Sequence, residues 1–267
     1  MKLACQEGMA PGTTLEEKLA NIEQAGYEGV ELWGGGLVDR LEEVKRATKK
    51  ASVPVTTICA GYRGTPLSND LATRKQAADD IVMLLDAAGE LGATGLIFVP
   101  IFGKPQINDL SPWKSAEELE RELLVELLGD WAEHARKAGT LLLLEPLNRY
   151  ETHLIKTLRD AVQICEQVNN PKGLKMMADF FHMSIEERDI PTSIGAAGDW
   201  IAHVHLADST RELPGYGHTD FAAGFAALRE IGFDGYMALE CGIPGDDKLA
   251  ELTKSAHYLK ARMNDTE

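Results

Sequence analysis

Short apolar runs alternate with longer amphipathic stretches along the whole chain. Runs of roughly four to eight apolar residues are typical of strands buried on both faces, and apolar residues at helical spacing indicate helices. The pattern predicts eight strands, over residues 2–7, 29–33, 53–60, 94–100, 140–145, 174–179, 200–206 and 236–240. It predicts helices over residues 15–25, 40–51, 70–91, 116–138, 158–168, 221–231 and 246–262. The segment after Asp179 is shorter and is broken by Pro191.

Three short segments, at residues 25–30, 91–96 and 231–236, share one pattern of glycines. In each, one glycine falls in the left-handed position that terminates a helix, and a second falls just before the next strand. Each segment therefore predicts a helix, a tight turn and a strand. Eight such units predict an α/β fold, a single (β/α)8 TIM barrel that occupies residues 1–267 as one domain. A doubly wound open sheet is the alternative, but no G-x-G-x-x-G motif follows the first strand.

Composition and charge narrow the classes of function. The chain has 267 residues, of which 44% are hydrophobic, and its 27 Lys and Arg against 42 Asp and Glu give a net charge of −15. Such an acidic chain repels phosphate backbones, so we expect no nucleic-acid partner. No apolar run approaches the length of a membrane span, and the first residues lack the pattern of a signal peptide, so we expect no membrane partner and a cytoplasmic protein. The four cysteines are well separated, which predicts reduced, mostly buried thiols.

Four successive predicted strands end on a side chain that can bind a metal ion. The fifth ends at Glu145, the sixth at Asp179, the seventh at His205 and the eighth at Glu240. In a TIM barrel the carboxyl ends of the strands open onto one mouth, and side chains alternate between the two faces of each strand. If the faces that carry these residues point inward, the four side chains meet. For any one of them alone, a polar strand end bonded to neighbouring N–H groups is the simpler reading.

The predicted cluster combines three carboxylates with one imidazole. Carboxylates within a few ångströms of one another raise each other's pKa unless a cation neutralises them, so the sequence predicts a divalent metal site. This oxygen-rich set leaves room for water or substrate, which favours Mn²⁺, with Mg²⁺, Co²⁺ or Zn²⁺ as alternatives.

The segments that follow these strands carry motifs of a known family. Residues 145–151 read E-P-L-N-R-Y-E, residues 179–183 read D-F-F-H-M, residues 203–211 fit H-x-H-x5-R, and residues 238–240 read A-L-E. These motifs resemble those of the xylose-isomerase-like TIM-barrel superfamily of sugar isomerases and epimerases, and within it the ketose 3-epimerases of the D-tagatose/D-psicose type. The resemblance implies that Glu145, Asp179, His205 and Glu240 bind the metal. It also implies that Glu151, His182 and Arg211 bind the O1/O2 end of the substrate.

The positions of Glu145 and Glu240 favour acid–base chemistry beside a ketone. Their strands lie three apart around the ring, so the two carboxylates approach a substrate from different sides. If one removes a proton and the other returns one to the opposite face, through a metal-stabilised enediolate, the carbon centre inverts. The motifs favour ketose 3-epimerisation. The alternatives are an aldose–ketose or hydroxypyruvate-type isomerase, an inosose-type dehydratase, and a sugar-binding barrel without turnover.

Other residues near the predicted mouth have more than one interpretation. Trp33 fits either a wall that stacks on the apolar face of a sugar or packing against helices. His218 is a candidate substrate-binding residue, and His203 is expected to be a hydrogen-bonded residue of the barrel core. Glu151 and Arg149 could form a surface ion pair of little energetic worth. The expected partners are a small-molecule sugar or sugar phosphate and, by analogy with family members that have similar long outer helices, further copies of the chain in a homo-oligomer (dimer or tetramer).

Overall fold

The structure, a computed structural model, describes residues 1–264. Its eight parallel strands pair in chain order and close into a barrel, because the last strand also pairs with the first. The strands are β1 (Lys2–Gln6), β2 (Gly29–Trp33), β3 (Val55–Cys59), β4 (Gly95–Phe98), β5 (Leu141–Leu144), β6 (Leu174–Asp179), β7 (Ile201–Leu206) and β8 (Tyr236–Leu239). The helices are α1 (Leu15–Ala25), α2 (Leu41–Ala51), α3 (Leu71–Leu91), α4 (Ala116–Ala138), α5 (Leu158–Val168), α6 (Phe180–Glu186), α7 (Ile190–Ala197), α8 (Phe221–Glu230) and α9 (Lys248–Asn264). The predicted (β/α)8 TIM barrel is confirmed, and residues 265–267 of the predicted domain lie outside the described residues.

The glycines of the recurring turn have the predicted conformation. Gly26, Gly92 and Gly232 follow helices α1, α3 and α8 with φ angles of 96°, 66° and 73°, in the left-handed region that favours glycine. The second glycine of the pattern allows close approach of two strands: a Cβ on Gly95 would lie 2.5 Å from the carbonyl oxygen of Leu141.

The segment after β6 holds two short helices where the other units have one. Asp179 is the last residue of β6 and also the N-cap of α6, because its Oδ1 accepts hydrogen bonds from the backbone N–H groups of Phe181 and His182. Pro191 lies in the first turn of α7, where the missing N–H costs no helical hydrogen bond. The interruption that Pro191 predicts is therefore the start of a second helix.

Buried apolar side chains form two clusters. The larger cluster packs the strands against the surrounding helices. The smaller contains strand residues of the barrel interior, namely Cys59, Ile97, Leu143 and Met177. Because side chains alternate along a strand, Glu145 and Asp179, each two residues beyond an interior side chain, also point into the barrel. This orientation agrees with the inward faces that the sequence analysis assumed for β5 and β6.

The cysteines are free and mostly buried, as the sequence predicts. Cys5, Cys59 and Cys165 are buried, Cys241 is partly buried, and all four are free thiols. Within residues 1–264, no helix has both the length and the apolar character needed to cross a membrane.

Candidate functional site

Four side chains at the carboxyl ends of β5 to β8 converge at one mouth of the barrel. One ligand atom from each of Glu145, Asp179, His205 and Glu240 lies within 4.8 Å of the other three. The first three are almost completely buried, and the Glu240 side chain is 24% exposed. The sequence predicted these four residues as a set, and the structure brings them together.

A carboxylate that the sequence analysis missed determines the orientation of His205. Glu31 is fully buried in β2, and its Oε1 lies 3.0 Å from Nε2 of His205. The other ring nitrogen, Nδ1, faces the cluster, 3.3 Å from Glu240 Oε2 and 3.8 Å from Asp179 Oδ2, and it is buried without a hydrogen-bond partner. A buried, unpartnered ring nitrogen that faces three carboxylates fits a metal ion, and a carboxylate on the far nitrogen is the usual support of such a ligand.

The same carboxylate also accounts for His203. Its Nε2 lies 2.9 Å from Glu31 Oε2, so His203 is a hydrogen-bonded residue of the barrel core, as expected. One sequence signal for Glu31 was available: it is a charged residue inside an otherwise apolar parallel strand, and such a residue needs buried partners.

Burial and mutual repulsion perturb the carboxylates of the cluster. Burial raises the pKa of Glu145 well above its usual value, and the charge of Glu240 raises it further. Burial alone would also raise the pKa of Asp179, but its interactions with His182 and His205 outweigh burial and lower it. The cluster therefore concentrates negative charge in a place with little water, which is the condition that a bound divalent cation relieves.

A cavity of about 300 Å³ opens beside the cluster. One end is polar and is formed by Glu145, Glu151, His182, Arg211 and Glu240. The walls are mainly apolar or small: Trp33, Cys59, Ala60, Gly61, Tyr62, Gly64, Thr65, Pro66, Val99, Pro100, Ile101, Phe102, Gln106 and Leu147. Trp33 and Phe102 are each 60% exposed, so Trp33 lies on the rim of the cavity and is not packed under a helix. Aromatic walls around a few converging polar groups are typical of sugar sites.

Arg211 and Glu151 form one polar wall of the cavity. Nη1 of Arg211 donates to Glu151 Oε1 at 2.6 Å, and Nη2 lies 3.8 Å from Glu240 Oε2. The guanidinium group lies over the ring of Phe181, 4.7 Å from its centroid. Arg211 has a φ of 59°, a strained backbone conformation for a residue with a side chain, and such strain is concentrated at functional sites. The backbone N–H and C=O of Arg211 are both hydrogen-bonded, which holds this conformation.

His182 lies between the cluster and this wall. The backbone N–H of Asn148 donates to Nδ1 of His182 at 3.3 Å, so Nδ1 accepts and the hydrogen of the neutral ring is on Nε2. That nitrogen lies 3.7 Å from Asp179 Oδ2 and 3.9 Å from Glu145 Oε1. His182 can therefore offer a hydrogen-bond donor to an oxygen atom bound beside the cluster.

One prediction about the mouth and one alternative interpretation differ from the structure. His218 is exposed and does not line the cavity, because Asp208 accepts backbone hydrogen bonds from residues 209, 215 and 219 and folds the loop around itself. Arg149 does not pair with Glu151. Its guanidinium group binds Glu186, with Nε 2.7 Å from Oε1, which leaves Glu151 free to pair with Arg211.

Comparison with known proteins supports a family assignment. The family model described as "Xylose isomerase-like TIM barrel" matches residues 19–262. The 3-dehydro-D-guloside 4-epimerase of Escherichia coli (strain K12) is 34% identical over 262 residues, which cover 97% of this chain and 99% of that protein. The D-psicose 3-epimerase of Ruminiclostridium cellulolyticum is 32% identical over 150 residues, which cover 56% of this chain and 48% of that protein.

Solved structures agree with this assignment. The apo crystal structure of 3-keto-D-glucoside 4-epimerase, YcjR, from E. coli has a TM-score of 0.88 and 33% identity, and covers 98% of this chain and 99% of that one. A D-psicose 3-epimerase from Clostridium cellulolyticum H10, solved with D-tagatose, has a TM-score of 0.86 with the same coverage, but at 22% identity it shows a common fold only. These relatives are sugar epimerases. Since the family model spans nearly the whole barrel and one relative matches the chain end to end, this chain belongs to the xylose isomerase-like TIM barrel family.

Proposed function

We propose that the protein is a divalent-metal-dependent sugar epimerase that inverts a carbon next to a ketone. The observation that carries the proposal is the placement of Glu145 and Glu240 in one cluster, each directly after one of two strands that are three apart, at the polar end of a sugar-sized cavity. A single base suffices to remove a proton. A second carboxylate on another side of the substrate is what inversion requires, because the returning proton must arrive on the opposite face.

A divalent cation held by Glu145, Asp179, His205 and Glu240 would polarise the ketone oxygen and lower the energy of the negative charge that develops on it. The donor set of three carboxylates and one imidazole favours Mn²⁺, Mg²⁺ or Co²⁺ over a closed zinc site.

The remaining polar residues bind and orient the sugar. Arg211 and the N–H of His182 donate hydrogen bonds to substrate oxygens, and Glu151 accepts from a hydroxyl group. Trp33 stacks on the outer part of the sugar and excludes water from that side. These contacts hold the reacting carbon between Glu145 and Glu240, and such positioning is worth a large part of the rate of an enzyme.

The charges around the cavity favour an unphosphorylated sugar. Among the cavity-lining residues within the described part of the chain, Arg211 is the one Lys or Arg, and it is already paired with Glu151. Glu145, Glu151 and Glu240 line the same cavity and would repel a phosphate group. A neutral keto sugar is not repelled by these carboxylates and needs no unpaired cationic side chain.

Two positions of inversion are proposed as candidates. The motifs of residues 145–151 and 179–183 favour C3 of a ketose, and the relative that matches the whole chain, a 3-dehydro-D-guloside 4-epimerase, favours C4 of a 3-keto sugar. Both reactions remove a proton from the carbon beside the ketone, so the same two carboxylates serve either one.

Proton exchange in D₂O tests the proposal. The purified protein with Mn²⁺ is incubated with D-fructose, D-tagatose, D-psicose and a 3-keto-glucoside, and NMR follows deuterium uptake at each carbon. Uptake at C3 or C4 together with a new diastereomer supports epimerisation at that carbon. Uptake at C1 would instead indicate aldose–ketose isomerisation, loss of water would indicate a dehydratase, and binding without exchange would indicate a sugar-binding barrel.

Two variants test the assigned acid and base. Glu145→Gln and Glu240→Gln should each abolish epimerisation, because each removes one of the two proton carriers but keeps an oxygen ligand of similar size. Glu186→Gln, which changes a carboxylate outside the cavity, is the matched control and should retain activity. Wild-type turnover in either cluster variant would remove that residue from the acid–base role.

A further inference from the structure

Two neighbouring loops form one side of the cavity. The loop between β4 and α4, residues 99–115, carries Phe102 and Gln106, and the loop between β5 and α5, residues 145–157, carries Glu151. The substrate end of the site therefore depends on how these two loops lie against each other.

The two loops are joined by their backbones at the position of Glu151. The N–H of Gly103 donates to the carbonyl oxygen of Glu151 at 2.7 Å. The hydroxyl group of Thr152, which is buried, donates to the carbonyl oxygen of Ile101 at 2.7 Å. Any movement of the first loop is thus transmitted to the backbone that carries the Glu151 side chain.

Glu120 and His153 hold this junction from behind. Glu120 lies on α4 and is fully buried, and its Oε1 accepts from the N–H of Gln106 at 2.7 Å. Its Oε2 lies 2.6 Å from Nε2 of His153, and Nδ1 of His153 lies 2.8 Å from the carbonyl oxygen of Gly103. A carbonyl oxygen can only accept, so Nδ1 carries a hydrogen, and Nε2 and Oε2 share a second proton. Glu120 and His153 therefore bond to both loops at once.

Glu120 is buried and His153 partly exposed, and neither belongs to the metal cluster, so the reaction itself does not explain the pair. A carboxylate on an outer helix could be exposed to water at no cost, whereas here it is desolvated and bonded to a loop N–H and to an imidazole. Hydrogen bonds with charged partners are among the stronger ones in proteins, and each of them here restrains a residue that lines the cavity or lies next to one.

We propose that Glu120 and His153 are positioning residues, which hold Glu151 and the loop 99–115 in the geometry that binds the sugar. The proposal rests on the proposed function, since Glu151 is taken to contact the substrate. Without the pair, the Gln106 N–H loses its acceptor and the Gly103 carbonyl loses its donor. The loop then takes up other conformations, and Glu151 no longer stays fixed against Arg211.

The test uses Glu120→Leu, which removes the acceptor of the Gln106 N–H, and His153→Gln in the full chain, with His134→Gln as the control. His134 is also in α4 and pairs with a carboxylate, Asp86 Oδ1 at 2.7 Å, but it lies on the outer helices and lines no part of the cavity. Hydrogen exchange is measured on peptides that cover residues 101–107, and KM and kcat are measured on the sugar that the wild-type protein turns over. Mn²⁺ affinity is measured as well.

Both variants should exchange the amides of residues 103 and 106 at least tenfold faster. The ratio kcat/KM should fall about 10- to 100-fold, since misplacement by about 1 Å can cost about 100-fold in rate, and most of the change should be a rise in KM, because Glu151 is proposed to bind the sugar and not to react with it. The decrease in kcat should be smaller, and Mn²⁺ affinity should not change. His134→Gln should match the wild-type protein in every measurement. Wild-type exchange in the loop, or a lower melting temperature with an unchanged KM, would overturn the proposal. If Glu120→Leu does not fold, His153→Gln, at a partly exposed position, decides. If the wild-type protein turns over no keto sugar, the proposed function fails, and the exchange measurement still tests whether Glu120 and His153 hold the loop 99–115.

Discussion

Replacing Glu31 by glutamine changes a single group in the barrel interior and should weaken metal binding, although none of the four proposed ligands is replaced. The wild-type carboxylate receives four hydrogen bonds: from Gln6 Nε2 at 2.8 Å, Thr57 Oγ1 at 2.6 Å, His203 Nε2 at 2.9 Å and His205 Nε2 at 3.0 Å. Burial alone would raise the pKa of Glu31, but His205 and His203 outweigh it and lower the pKa well below its usual value. The group is therefore a carboxylate, and it accepts all four bonds.

A glutamine side chain carries two N–H donors, and it places them beside four groups that also donate. His205 can meet an amide N–H only by moving its own hydrogen from Nε2 to Nδ1, the nitrogen that faces Glu240 and Asp179. A protonated Nδ1 cannot bind a cation. Loss of the carboxylate behind a ligating histidine typically lowers metal affinity about 10- to 100-fold, which corresponds to about 1.4–2.7 kcal/mol.

The same variant should lower stability by a comparable amount. A hydrogen bond to a charged group contributes about 1.5–3 kcal/mol, and in a domain of this size that range lowers the melting temperature by about 3–12 °C. Titration calorimetry of the metal-free protein with Mn²⁺, in the presence of a competing chelator, measures the affinity. Nitrogen-15 NMR of the histidine rings identifies the nitrogen that carries the hydrogen.

Glu120→Gln is the matched control, because it makes the same chemical change in another fully buried carboxylate that is bonded to a histidine. It should lower stability and leave Mn²⁺ affinity unchanged. The reasoning about His205 is refuted if Glu31→Gln binds Mn²⁺ as tightly as the wild-type protein does, or if the hydrogen remains on Nε2 of His205.

Three further predictions concern packing, pH and the metal. Gly89→Ala should destabilise the protein by about 1–3 kcal/mol in urea denaturation, because a Cβ there would lie 2.2 Å from the carbonyl oxygen of Ala138. Gly129→Ala should stabilise it by about 0.5–1 kcal/mol, because the new Cβ would have no atom within 4 Å outside its own helix backbone. Equal effects of the two variants would contradict the packing argument. Asp80→Asn should lower the free energy of unfolding by about 1 kcal/mol at pH 7, because hydrogen bonds from Arg63 lower the pKa of Asp80. This contribution is complete above the unfolded pKa of 3.8 and is lost as the pH falls through the lower folded pKa. A stability difference between variant and wild type that persists unchanged to pH 3 would be inconsistent with this reasoning. Mn²⁺ at about one hundred times its Kd should stabilise the protein by about 2.7 kcal/mol and raise the melting temperature by about 5–11 °C. A melting temperature that is unaffected by Mn²⁺, Mg²⁺, Co²⁺ and Zn²⁺ would argue against the metal site.

The barrel could be predicted from the sequence because its signals are local. Each strand is a short apolar run, and each helix carries apolar residues at helical spacing. Glycines such as Gly26 and Gly92 mark the turns between them. Closure is favoured over an open sheet because a ring of eight parallel units leaves no strand with an unpaired edge. The convergence of Glu145, Asp179, His205 and Glu240 then follows from a rule of the fold, that strand ends share one mouth.

The boundaries of the strands were less predictable. The third strand was predicted over residues 53–60 and spans Val55–Cys59, and the fourth was predicted over 94–100 and spans Gly95–Phe98. A residue belongs to a strand only while it bonds to the neighbouring strand. Apolar loop residues that line the cavity, such as Val99 and Pro100, look the same in the sequence.

The sequence by itself determined the order of elements and the four proposed ligands at the strand ends, since each depends on a pattern within one βα unit. Only the tertiary structure decided which partners complete the site. Glu31 meets His203 across 172 residues of chain, and Arg211 meets Glu151 across 60. His218, placed near the mouth by its position in the chain, is exposed and does not line the cavity, and the loop that carries it bonds to Asp208. Such contacts depend on distances through space, and periodicity along the chain carries no information about which distant side chain satisfies a buried charge.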